Sequence, residues 1–324
     1  MLTMGTFGGR RAVACASALL AVLLPGSLLT ACSDPIDQSH TVQTQLNRID
    51  AVTDAQVTTP SDSTGAVIEV VYNDDPTARE LAALVKEIDA VADREDYPSY
   101  RLDLVPAQDD GDRLTVDDTF VDSDDRSTVL ENWLSTTSVL LGDVHYTFEP
   151  GTETIEVEAG PGILHDVGEA SRIGYGYAGT EWTFRNGDTS FVVSGRVSPT
   201  DVDLFQDVQR SVSSEVLPAP ATAWRLERRA RQVLLDLDVG LEGTPVPPAR
   251  VTIPRYGEAV SRLASAAMTA TEAASLPVTL RLINPGAAGQ GDDVFGYWVS
   301  DERPVRGRDP LVRGWDLWLE KLAG

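Results

Sequence analysis

The chain has 324 residues, of which 50 are acidic and 26 basic, for a formal net charge of −24. That balance excludes a free nucleic-acid binder, which needs a basic surface to neutralise phosphates. At this length, and with 42% apolar residues, the chain folds and exceeds what one hydrophobic core comfortably serves, so two or three domains are expected. Its two cysteines, Cys15 and Cys32, both lie near the N-terminus. The remainder therefore has no internal disulfide, no thiolate metal site and no cysteine nucleophile.

Residues 1–32 carry a basic start at Arg10 and Arg11, an apolar run over 12–24, and then Leu29-Thr30-Ala31-Cys32. The apolar run is too short to cross a bilayer, which takes about 20 apolar residues. These residues resemble a bacterial lipoprotein signal, whose lipobox they match position for position. The resemblance implies cleavage after Ala31, a signal peptide of residues 1–31, and diacylation of the Cys32 thiol. It also implies a body anchored on the extracytoplasmic face of the cell membrane. Arg10-Arg11 is not followed by the aromatic and leucine of a twin-arginine signal, so general export is favoured. Residues 32–39 are expected to be a tether reaching about 25 Å at most, at about 3.3–3.6 Å per residue.

Beyond the tether, helical and strand spacings alternate. Val42, Leu46 and Ile49 predict a short helix, and 52–58 with 66–72 a strand pair. Asp75-Pro76 predicts the next helix start, with Leu81, Leu84, Val85, Ile88 and Val91 as its buried stripe. Strands follow at 100–105 and 114–121. A helix then starts at Asp125 or at Thr128, the latter with Glu131 in capping-box spacing, and extends to Leu141. A hairpin at 144–148 and 154–158 precedes a helix over 161–177. Another, at 181–184 and 190–194, turns at Asn186-Gly187, a strong hairpin signal. Ser198-Pro199 opens a helix, followed by strands at 223–228 and 233–239. A proline-rich loop, a helix over 255–274, strands at 278–283 and 294–299, and a helix opened by Asp309-Pro310 complete the chain.

The fold class predicted is α+β, a helix-strand-strand unit used six times with a closing helix. Paired units would form tandem ferredoxin-like antiparallel sandwiches, because an isolated hairpin is marginally stable. The expected modules are 40–122, 123–196, and 197–324 with its C-terminal helix. The passage Ile49 to Val57, followed by Val67 to Tyr72, resembles the helix-to-hairpin segment of small metal-carrier and BON-type envelope domains. The Cys-x-x-Cys loop of the metal carriers is absent, so the resemblance implies a fold class and no metal function.

Chemistry-bearing motifs are sparse. No nucleophile elbow, phosphate loop, zinc-binding helix or dinucleotide fingerprint is present. His165-Asp166 with Glu169 one turn on is the nearest approach to a metal or acid/base cluster, since residues four apart share a helix face, but the macrodipole explains acids in a first turn without a site. The acidic run at Asp109, Asp110 and Asp112, continued by Asp117, Asp118, Asp122, Asp124 and Asp125, has no EF-hand spacing and reads as solvated loop. Gly174-Tyr175-Gly176-Tyr177 reads as a frayed helix end or an aromatic lip over a groove. No cofactor, catalytic residue or metal ligand is expected.

Charge divides the chain. Residues 33–162 hold 29 acids and 7 bases, whereas 163–324 hold 21 and 17. Arg225, Arg228, Arg229 and Arg231 form a candidate partner-binding cluster for an envelope protein or acidic polymer, with intramolecular pairing as the plainer alternative. Arg303, Arg306, Arg308 and Arg313 form a second group. The function expected is a non-catalytic lipoprotein that binds or scaffolds another envelope component. Two alternatives stand beside it. One is a small-molecule-binding lipoprotein with an inter-module groove lined by Trp182, Tyr175, Tyr177 or Trp224. The other is a carboxylate-dependent envelope hydrolase.

Overall fold

Alternation of 3.6- and 2-residue periods along the chain becomes alternation of helices and hairpins in space. The computed structural model describes residues 35–324 apart from 61–64, 74, 242–245, 286–292 and 301–309. The lipobox with Cys32, and Arg303, Arg306 and Arg308, lie outside the described residues. Helix α1 (Pro35–Leu46) leads into β1 (Val52–Thr58) and β2 (Ala66–Tyr72), and α2 (Ala78–Arg94) into β3 (Tyr100–Pro106) and β4 (Arg113–Asp117). Next come α3 (Arg126–Thr137) with β5 (Asp143–Glu149) and β6 (Thr152–Glu158), then α4 (Ile163–Ile173) with β7 (Thr180–Asn186) and β8 (Thr189–Ser194). The series ends with α5 (Pro199–Val212), β9 (Ala221–Arg229), β10 (Gln232–Val239), α6 (Ile253–Glu272), β11 (Val278–Asn284), β12 (Asp293–Val299) and α7 (Pro310–Ala323).

All twelve strands form one mixed sheet in sequence order. Strands within a hairpin pair antiparallel, and strands joined through a helix pair in parallel. Register lines up buried apolar residues of successive strands on one face. Val144, Val157, Phe184, Phe191, Leu226, Leu235 and Leu280 are successive cross-strand neighbours, and all are buried. Each such side chain contributes about 1.5–3 kcal/mol on burial. The helices cover this face as one layer, each touching the next in sequence. Among the described residues no helix covers the other face, which carries Arg113, His145, Glu156, Thr183, Val192 and Glu227 in a continuous row. Successive hairpins reverse strand direction while every crossover steps the same way across the sheet. Consecutive crossovers therefore alternate in hand, and some run against the right-handed preference of such connections.

The repeat of helix and hairpin is present, but the expected tandem ferredoxin-like sandwiches are not what it builds. A ferredoxin-like sheet interleaves its strands, whereas here each strand pairs with its sequence neighbours. The module edges expected at 122/123 and 196/197 fall in connections across which β4–β5 and β8–β9 pair. One hydrophobic core runs from Val42 to Leu319. Periodicity decides which face of an element is buried. It carries no information on whether a crossover steps to the adjacent position or over a strand.

Local boundaries shift for identifiable reasons. The segment 32–39 is not all tether, because α1 begins at Pro35 and Ser39 is buried within it. Thr77, not Asp75, caps α2 through a reciprocal box with Glu80. Asp125 rather than Thr128 precedes α3, and Leu141 lies beyond the helix and is exposed. Helix α4 stops early because Gly174 adopts a left-handed φ of 66° at its end.

Candidate functional site

The rim at which β2 and β3 end carries a cleft between α2 and α3. Ligands in α/β sheets characteristically sit outside the carboxyl ends of parallel strands, which is where this cleft lies. One wall is the β2–α2 connection with Asp75 and Pro76; Asp75 has a left-handed φ of 54°. A second wall is the β3–β4 turn, with Pro106, Gln108, Asp109 and Asp112, and the third is the end of α3, with Leu134, Thr137 and Ser138. The cavity they enclose measures about 400 Å³. A neighbouring lobe of about 240 Å³ shares Tyr72, Asp75 and Pro76 with it and is otherwise lined by Ala51, Leu81 and Leu84 among others.

The hairpin turn is fixed at both ends. Ala107 N–H donates to the Tyr72 carbonyl at 3.0 Å, and Asp109 Oδ1 accepts from Gly111 N–H at 3.2 Å. Gly111 packs against the Asp143 carboxyl, 2.5 Å from where a Cβ would stand, so a side chain there would make the exposed Asp143 turn away. The turn places Asp112 inward, only 5% exposed. Its Oδ1 accepts from Val144 N–H at 2.7 Å, and its other oxygen makes no hydrogen bond among the described residues. Burial pushes the Asp112 carboxyl up to about 7, against the Val144 hydrogen bond and with help from Asp109 and Asp143. The Tyr72 hydroxyl accepts from Trp133 Nε1 at 3.2 Å, and burial pushes it up to about 12. Deep in the cleft, then, stand a carboxyl with a spare oxygen and a neutral phenol, between walls that mix Pro76, Pro106 and Leu134 with polar side chains.

Sequence reading did not single out Tyr72, Asp75 or this pairing, and it placed Asp112 only within a solvated acidic run. That run is divided: Asp109 and Asp112 lie at one end of β4, and Asp117 and Asp118 at the other. Among the described residues, no group of three or more His, Cys, Asp or Glu side chains is placed to hold a metal. His165 Nδ1 lies 3.2 Å from Asp166 Oδ1, which accepts from Leu141 N–H at 2.8 Å and ties the α3–β5 loop to α4.

The arginine cluster is split between the two faces of the sheet. Arg228 points to the helix side and is held by Asp201 at 2.7 and 2.9 Å and by the carbonyls of Ser194 and Arg196. Arg225 and Arg229 lie on the helix-free face, either side of Glu227 at 2.8 and 2.6 Å. Arg231 stands in the β9–β10 turn rather than on a strand. Arg313 lies on α7.

Of the four aromatic residues expected along a groove, Trp182 and Trp224 are core side chains, Tyr175 meets Tyr146 with hydroxyls 2.9 Å apart, and Tyr177 is exposed. The Tyr175 segment packs closely: a Cβ at Gly179 would come within 2.3 Å of the Gly151 carbonyl oxygen. Beneath it Glu153 is buried, with Thr180 Oγ1 donating to it at 3.3 Å, and burial raises its carboxyl above the ordinary range. Trp315, on α7, is buried and donates to the Val251 carbonyl at 3.0 Å; it packs edge-on to Trp318. The chain matches no protein-family model, no curated protein and no solved structure.

Proposed function

We propose that the chain is a lipid-anchored envelope protein that binds a small molecule in the cleft between α2 and α3. Anchoring rests on the lipobox ending at Cys32. The observation that carries the binding role is Asp112, buried at the cavity with one oxygen committed to Val144 and the other uncommitted. That second oxygen, on a residue lining the cavity, is an acceptor open to a ligand. Cavities of a few hundred Å³ with apolar walls and a few convergent polar groups suit small ligands. No catalytic step is part of this reading.

A second reading, scaffolding of an envelope protein or acidic polymer, draws on the helix-free sheet face. Its weakness is that Glu227 already answers Arg225 and Arg229. A thermal-shift screen of charged and neutral metabolites separates the two readings. A saturable shift that is lost on filling the cleft supports the small ligand. No shift, together with a reproducible crosslinked envelope partner in cells, overturns it in favour of the scaffold.

A further inference from the structure

Resting on the cleft reading, we propose that its ligand is an organic cation, a primary ammonium on a short aliphatic chain. Charge is the first ground. Asp75, Asp109 and Asp112 line one cavity, no Lys or Arg among the described residues lines it, and Glu80 lines the adjoining lobe. The second is the end of α3, where Thr137 and Ser138 form the wall and the partial negative charge of the helix terminus favours a cation. Head-group geometry is the third. One Asp112 oxygen already accepts from Val144 N–H, which leaves the other as the open acceptor of that carboxylate toward the cavity. An ammonium needs only single acceptors around a point charge, which the spare Asp112 oxygen and the Tyr72 oxygen supply. The adjoining lobe, with Ala51, Pro76, Leu81 and Leu84, gives a hydrocarbon chain its apolar wall. That apolar lining and the lack of a three-ligand group among the described residues distinguish the site from a divalent-cation site.

The same arrangement couples binding to proton release. Asp112 faces Asp109 on its own turn, Asp143 at the start of β5, Tyr72 at the end of β2 and Asp75 across the cleft. Of these neighbours Asp109 and Asp143 favour its protonated form, and a bound ammonium reverses that preference. Affinity should therefore rise about tenfold between pH 6 and pH 8 and level off above, as the ionised fraction of a carboxyl near 7 rises.

The test is a titration of the purified protein, followed by thermal shift and calorimetry, with butylammonium, 1,4-diaminobutane, Nα-acetyl-lysinamide, 1-butanol, butyrate and calcium chloride. The expected result is saturable binding of the ammonium probes alone, about tenfold tighter at pH 8 than at pH 6. Asp112→Asn, which keeps an acceptor for Val144 N–H, should weaken it at least tenfold and remove the pH dependence. Ser138→Trp, at an exposed position on the cleft wall, should abolish it without touching the charges. Preference for the diamine points to a free amine, and preference for the lysinamide to a lysine side chain; either supports the class. Saturable binding of butanol or butyrate, lost in Ser138→Trp, overturns the cation and leaves the cleft reading standing. Binding of calcium in preference to every amine also overturns it. No saturable binding by any probe at pH 8 overturns both.

Discussion

Replacing Asp112 by asparagine should make the protein more stable at pH 8 while leaving it nearly unchanged at pH 4. In the folded chain the carboxyl titrates near 7 instead of its ordinary 3.8, because ionising it means charging a buried group. Between those two values the folded state holds a proton that the unfolded state has released. Stability contributed by this residue therefore falls as pH rises through that window and is constant above it. At about 1.4 kcal/mol per tenfold, the loss approaches about 4 kcal/mol by pH 8. Asparagine carries no charge and keeps the acceptor for Val144, so the variant escapes that loss and should gain about 2–4 kcal/mol at pH 8. Urea denaturation at pH 4, 6 and 8 measures it, with the difference between variant and parent growing as pH rises. A difference independent of pH, or a variant less stable than its parent at pH 8, refutes the argument that Asp112 is a buried, costly carboxylate. The gain would accompany loss of ligand binding, the exchange of activity for stability seen when a strained functional group is removed.

The remaining predictions concern the frame. Arg228→Ala leaves the buried Asp201 carboxylate without its partner and should cost about 3–5 kcal/mol by denaturant titration, whereas exposed Arg225→Ala should cost about 1 kcal/mol or less. Gly179→Ala forces a methyl against the Gly151 carbonyl and should destabilise by about 1–3 kcal/mol, seen as a lower Tm. Cys32→Ser should move the protein from the membrane fraction to the soluble fraction of producing cells, with its melting behaviour unchanged; retention in the membrane fraction would argue against the lipid anchor.

Element identity was legible because it is a local property. Alternation at 66–72 and 144–148, the 3.6-residue stripe of Leu81, Leu84, Val85, Ile88 and Val91, and Asn186-Gly187 each act over a few residues, and the structure places β2, β5, α2 and the β7–β8 turn there. Strand order was not legible. It depends on contacts such as Leu114 beside Tyr146, set by pairings more than thirty residues apart that no local pattern encodes. The cleft was hidden for the same reason. Asp112 sits in a stretch of aspartates whose other members are exposed or half-buried, and only the approach of β5 turns Asp112 inward through Val144 N–H. Tyr72 looked like one more alternating strand residue, and its partner Trp133 lies sixty-one residues away. The arginines misled for a related reason: spacing grouped four of them, while pleat direction sends Arg228 to one face and Arg225 and Arg229 to the other.

Proton release on binding tests the central claim most directly. Titrating 1,4-diaminobutane into the protein at pH 6, by calorimetry in two buffers of different ionisation enthalpy, should give heats whose difference, divided by the difference in those enthalpies, corresponds to about nine-tenths of a proton released per ligand, vanishing in Asp112→Asn. Equal heats in both buffers, or no saturable heat, would contradict the account.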